Sequence, residues 1–151
     1  MSNGGVKLDQ INIVSGDVEA SVDFYRRLGV DIPDRSVWKT ATGIHHVSAG
    51  DTAGAALDFD IDSVPFAQRW NRGWQGRVDL RGRVVVGFRL ASRPDVDALY
   101  AELTGAGYAG LQPPYDAFWG SRYAIVEDPD GIAVGLMSPR SADARFAPPE
   151  V

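Results

Sequence analysis

The chain has 151 residues, 44% of them hydrophobic and 23% charged, enough for one domain with a real core. Its net charge of −5 argues against general nucleic-acid binding, and no apolar run approaches the ~20 residues of a membrane span. Absence of cysteine excludes disulfides, thiolate catalysis and thiolate metal sites, and fits a cytoplasmic protein. Met1–Val6 lacks a basic region followed by an apolar core, so no secretory signal is expected.

In chain order, Leu8–Val14 alternates as a strand. Asp17 is a helix N-cap, Val18, Val22, Phe24, Tyr25 and Leu28 form an apolar stripe, and Gly29 stops the helix. Ile44–Ser48 and Ala55–Ile61 read as further strands. Ser63–Gly76 is a linker carrying Trp70 and Trp74, with Pro65 opening a short helix. These tryptophans need cover, from the body, from a partner copy or from a ligand whose pocket they wall.

The second half repeats the order. Arg83–Leu90 is a strand, Ser92 a cap, and Val96, Leu99, Tyr100 and Leu103 an apolar stripe closed by Gly105 and Gly107. Gln112–Gly120 reads as a loop stiffened by Pro113-Pro114. Arg122–Val126 and Ile132–Met137 flank the turn Asp128-Pro129-Asp130-Gly131, a hairpin in which proline presets φ and glycine supplies positive φ. Each half is thus β-α-β-β-β. The expected bounds are 6–64 for the first module, 65–81 for the linker, 82–139 for the second module and 140–151 for a tail, loose or covering a partner, all within a single domain, 1–151. Superposing the halves sets Asp17 against Ser92, Gln10 against Val85 and Asp58 against Gly135.

Strand alternation assigns faces. Ile11, Ile13, Phe59, Ile61, Val86, Phe88, Val134 and Leu136 are core. Gln10, Asn12, Asp58, Asp60, Val85, Gly87, Arg89, Ala133, Gly135 and Met137 line the other face, with Asp62 near a strand end. Asp58 and Asp60 can pair internally with Arg89 or Arg122, hold a ligand's cationic group, or act as an acid–base pair, in that order of preference. Adjacent His45 and His46 point to opposite faces of a strand, so both cannot readily hold one ion. One of them with Asp58 could form an atypical metal site, and His46 otherwise serves as a hydrogen-bonding pocket residue. Tyr115, Phe118 and Trp119 offer flat faces for a planar ligand, with Trp38 at the mouth, and Trp119 could equally plug a joint within the fold.

The run FWGSRYAIVEDPDGIAVGLMSP (Phe118–Pro139), with the two helix entries at Asp17 and Ser92, resembles the vicinal-oxygen-chelate superfamily of glyoxalases, bleomycin-resistance proteins and extradiol dioxygenases. The resemblance spans about Val6 to Pro139. It implies an α+β fold of paired βαβββ modules forming a U-shaped eight-stranded mixed sheet around a cavity, and a homodimer. Metal-dependent members carry histidine, glutamate or glutamine at four positions, which map here to Gln10, Asp58, Val85 and Gly135. Two of these cannot coordinate through side chains, so no metal and no cofactor is expected. The expected function is metal-free binding of an aromatic or cationic, drug-like molecule by Gln10, Asn12, Trp38, His46, Asp58, Asp60, Arg89, Tyr115, Phe118, Trp119 and Arg122. The alternative is a lyase, isomerase or dioxygenase of the same superfamily with an atypical metal or acid–base site.

Overall fold

A computed structural model describes residues 10–49, 57–70 and 84–150. Met1–Val6, Leu8, Ala55, Trp74, Arg83 and Val151, on which parts of the sequence reading fall, lie outside the described residues. The chain divides into two compact units, Met1–Gly76 and Arg77–Val151.

The first unit runs β1 (Gln10–Ser15), α1 (Val18–Leu28), β2 (Val37–Thr40), β3 (Gly43–Ala49), β4 (Asp58–Ser63) and α2 (Val64–Trp70). Its four-stranded mixed sheet has the order β1-β4-β3-β2, with β1 parallel to β4. The second unit runs β5 (Val85–Arg89), α3 (Arg93–Gly105), β6 (Gly110–Asp116), β7 (Arg122–Glu127) and β8 (Ala133–Met137). Its sheet has the order β5-β8-β7-β6, with β5 parallel to β8. The class is α+β, as expected. No described helix is long and apolar enough to cross a membrane.

The helix signals act as their chemistry requires. The Asp17 carboxylate accepts from Ala20 N–H at 3.0 Å, and Gly29, at φ 107°, returns its N–H to Arg26 C=O. Asp17→Ala is expected to cost about 1 kcal/mol, read as a lowered urea midpoint with unchanged slope. The α1 stripe is buried throughout: Val18, Val22, Phe24, Tyr25 and Leu28. α3 is less covered. Val96 and Leu103 are buried, whereas Leu99 and Tyr100 are only half so.

The hairpin between β7 and β8 is closed by Asp128, whose carboxylate accepts from Asp130 N–H (2.8 Å) and Ile132 N–H (2.9 Å). Two expectations need correction. Gly110–Asp116 is an edge strand, not a loop. Pro113 and Pro114 sit in it because an edge tolerates missing N–H donors, and the β6–β7 pairing shifts register on either side of Gln112. The tail is not loose, since Ser141 N–H bonds Gly120 C=O (2.9 Å) and Phe146 N–H bonds Phe118 C=O (3.1 Å).

Candidate functional site

In the first unit, Phe59 and Ile61 face α1. Ile61 is fully buried and the Phe59 ring meets Tyr25 edge-on at 5.2 Å. Alternation then turns Asp58, Asp60 and Asp62 to the opposite face. Gln10 and Asn12 of β1 share that face, as do His46 and Ser48 of β3, whose ladder partners are Asp62 and Asp60.

A hydrogen-bonded network covers this face. Gln10 Nε2 donates to Asp60 Oδ2 at 2.5 Å. Asp62, 2% exposed, accepts from Asn12 Nδ2 (2.9 Å), from the Trp70 indole N–H (3.1 Å) and from His46 Nδ1 (2.5 Å). A carboxylate oxygen receives each of these bonds, so the amides are oriented and Nδ1 carries the imidazole proton. His46 Nε2 is thereby left an acceptor, and Ser48 Oγ lies 3.3 Å from it. Asn12 Oδ1 is buried without a hydrogen-bond partner. Asp58 is exposed at the strand start.

Aromatic rings border the network. Phe66 of α2 packs edge-on against His46 (5.8 Å) and Trp38 (5.2 Å), and Trp38 and Trp70 are each half exposed. Of the two linker tryptophans only Trp70 is described, and its indole N–H is committed to Asp62. His45 points away from His46: its Nδ1 meets Ser63 Oγ (2.8 Å) and its Nε2 meets Thr42 Oγ1 (2.6 Å). A cavity of about 390 Å³ lies on that side, lined in part by Ser15, Asp17, Thr42, His45 and Ser63, away from the acidic row.

In the second unit, Tyr115, Phe118, Trp119 and Tyr123 form a cluster of edge-to-face rings with centroids 5.2–6.4 Å apart. Trp119 pairs through its backbone with Arg145, and its indole N–H is buried without a partner. Arg89 is exposed at the end of β5, beside Met137 in the ladder. Arg122 is engaged within its own unit. It forks onto Asp97 (Nη2–Oδ1 2.7 Å, Nε–Oδ1 3.1 Å) and reaches Asp116 at 3.3 Å, and Asp116 also pairs with Arg93. The Asp97 hydrogen bonds, aided by both carboxylates' charges and opposed by burial, hold the Arg122 guanidinium above its ordinary pKa. This pairing ties β7 to α3 and β6 within its own unit.

The two ladders also revise the internal equivalence. Advancing Val14 and its partner Asp62 by one common offset gives Arg89 and Met137, which are partners again. The same offset takes Gln10 to Val85 as expected, but takes Asp60, not Asp58, to Gly135. The four positions of the metal-dependent relatives therefore correspond to Gln10, Asp60, Val85 and Gly135. Gln10 and Asp60 are bonded directly to each other. Val85 has no donor atom. At Gly135 a Cβ would lie 2.8 Å from the Tyr123 hydroxyl and 3.0 Å from its ring. Burial, with a smaller contribution from Tyr115, pushes the Tyr123 phenol above its ordinary pKa, so a neutral ring stands where a glutamate would begin. These residues do not fit a divalent ion. Among the described residues, no group of three or more His, Asp or Glu is placed to hold one.

Restoring the acid, Gly135→Glu, is expected to destabilise the chain by about 1–3 kcal/mol by overpacking against Tyr123. Urea unfolding reads this, and the loss should shrink in a Tyr123→Ala background. Zinc titration of Gly135→Glu by calorimetry should show no site.

Two βαβββ units, each with a parallel β1–β4-type pair and a helix on one face, define the glyoxalase-type fold. The chain belongs to the glyoxalase/bleomycin resistance protein/dioxygenase superfamily, whose sequence profile matches residues 7–136. Three solved structures illustrate the likeness. TnmS3, an antibiotic binding protein from Streptomyces sp. CB03234, is 26% identical with a TM-score of 0.61, the match covering 90% of this chain and 98% of that one. A glyoxalase-related enzyme from Fulvimarina pelagi is 22% identical with a TM-score of 0.66, covering 91% and 94%. A glyoxalase/bleomycin resistance protein/dioxygenase family enzyme from Burkholderia phytofirmans PsJN is 16% identical with a TM-score of 0.70, covering 88% and 98%. No curated protein matches the chain by sequence.

Proposed function

We propose that this protein binds a small aromatic or cationic molecule without a metal. The observation that carries the reading is the fate of the four ligand positions: an amide–carboxylate hydrogen bond at Gln10 and Asp60, no donor at Val85, and the Tyr123 phenol over Gly135. What these positions offer instead suits recognition. The first unit presents the Asp58 carboxylate, with Asp60 buried behind it, and half-exposed indoles at Trp38 and Trp70, and the second presents Arg89 and the rings of Tyr115, Phe118 and Trp119. The antibiotic-binding activity of TnmS3 supports the same reading. We take the protein to act in the cytoplasm as a homodimer, which sedimentation at micromolar concentration checks.

The test is a titration of metal-stripped protein with planar dyes of matched size and different charge, followed by tryptophan fluorescence. Saturable one-to-one binding, unchanged by chelator, is the expected result. Affinity that appears only after a divalent metal is added would instead favour a metal-dependent enzyme. An acid–base enzyme is the second reading, and the specific observation favouring it is the His46–Asp62 pair.

A further inference from the structure

Two histidines sit side by side on β3, and their settings differ. His45 is held between two hydroxyls, Thr42 and Ser63. His46 has a carboxylate behind it and a hydroxyl in front. Asp62 takes its Nδ1 proton at 2.5 Å, and Ser48 Oγ stands 3.3 Å from Nε2. The order hydroxyl, imidazole, buried carboxylate is the arrangement by which a weak nucleophile is activated, because the base abstracts the hydroxyl proton and the carboxylate orients the base and stabilises its cation. Distances of this kind are commonly looser before a substrate binds.

The sheet makes the arrangement rigid. Ser48 and His46 are two residues apart on β3 and therefore share a face, and Asp62 is the direct ladder partner of His46 on β4. Asp62 is fixed on its other oxygen by Asn12 and Trp70. The imidazole edge is held by the Phe66 ring. His46 keeps a third of its side chain exposed, and Ser48 is partly exposed, so a reagent can reach both.

We propose that Ser48, His46 and Asp62 form a nucleophilic relay that takes an acyl group from a neutral aryl ester. Ser48 Oγ bonds to the acyl carbon as its proton passes to His46 Nε2. The bond from the acyl carbon to the aryl oxygen then breaks, and the leaving aryloxide takes the proton from His46. Water, deprotonated by the same imidazole, releases the acid and regenerates Ser48. No oxidant, reductant or metal enters the balance. Phe66 and Trp38, in edge contact beside His46, supply apolar surface for the aryl group. The ladder partner of Ser48 is Asp60, whose charge opposes an anionic substrate and gives the tetrahedral oxyanion little help. Deacylation of a plain ester is therefore slower than acylation by an activated one, and the acyl-enzyme accumulates.

The experiment uses the full chain with p-nitrophenyl acetate, following nitrophenolate release and locating the acetyl group by peptide mass mapping. The expected result is a burst approaching one equivalent with acetyl on Ser48. Ser48→Ala should abolish the burst. His46→Gln should slow acylation by about 100-fold or more, the range for loss of a general base. In His46→Gly, added imidazole should restore part of the rate, which a purely structural role for His46 does not allow. Acetyl absent from Ser48 in the wild-type chain overturns the proposal. So does acylation of Ser48 at an unchanged rate in a folded His46→Gln variant. Neither result touches the dye-binding reading, which does not depend on Ser48.

Discussion

Asp62→Ala is expected to lower stability by about 3–5 kcal/mol, because it strips several hydrogen-bond donors of their common buried acceptor. The side chain is 2% exposed and receives three side-chain hydrogen bonds, from Asn12, His46 and Trp70. Alanine leaves those donors facing a void, and each buried orphan costs about 1–3 kcal/mol unless water enters. Trp70 is half exposed and can rehydrate, so the loss falls mainly on Asn12 and His46. Equilibrium urea unfolding monitored by far-UV dichroism gives the number. Asp62→Asn should lose less, because the amide oxygen still accepts while its NH₂ group confronts one existing donor. A loss below ~1 kcal/mol for Asp62→Ala, on the scale of one ordinary hydrogen bond, would mean that the network is solvated and does not organise the face.

Much of this face was legible in the sequence because strand periodicity is a strong signal. Alternation alone put Asp58 and Asp60 opposite Phe59 and Ile61, and it separated His45 from His46. The ladder could not be read that way. Superposing the halves from sequence set Asp58 against Gly135, two residues from the Asp60 that the sheet registers demand. A slip of two keeps the same face, so no hydrophobic pattern betrays it. Asp62 was placed near a strand end, and its central role went unseen because its partners come from three different elements, β1, β3 and α2, that only the fold brings together. Ser48 and Tyr123 were missed because their meaning comes from side-chain geometry, at His46 Nε2 and at the bare Cα of Gly135. The pairing of Arg122 with Asp97 went unread because charge alone does not name a partner. Asp97 wins by lying on the helix that packs across β7. Pro113 and Pro114 read as loop, and the edge position of β6 is what admits them to a strand.

The two units divide their chemistry unequally. In the first, the amide and ring N–H donors of this face are spent inward: Gln10 on Asp60, and Asn12, Trp70 and His46 on Asp62. What remains outward is acceptor character, at Asp58 and at His46 Nε2. In the second, the acids Asp97 and Asp116 are consumed by Arg122 and Arg93, and the outward groups are rings and Arg89. One βαβββ plan thus carries two polarities, because the sheet fixes positions while the side chains at those positions are free to differ.

Tyr25→Ala should be comparably damaging, at about 3–5 kcal/mol, as for other large aromatic side chains truncated in a core. Tyr25 is fully buried on α1 and meets Phe24 at 5.0 Å and Phe59 at 5.2 Å, both edge-on. Phe59 lies on β4 between Asp58 and Asp60, so this contact presses the helix onto the strand whose other face carries the acidic row. Loss of the ring removes packing and leaves a cavity that Phe24 and Phe59 fill only partly. The consequence should reach the site. Amide exchange along β4 should quicken in Tyr25→Ala beyond what the same global destabilisation produces in Leu103→Ala, a fully buried position of the second unit. Equal exchange in the two variants at matched stability would show that β4 opens only with the whole chain, and that the helix–strand contact does not separately hold the acidic row.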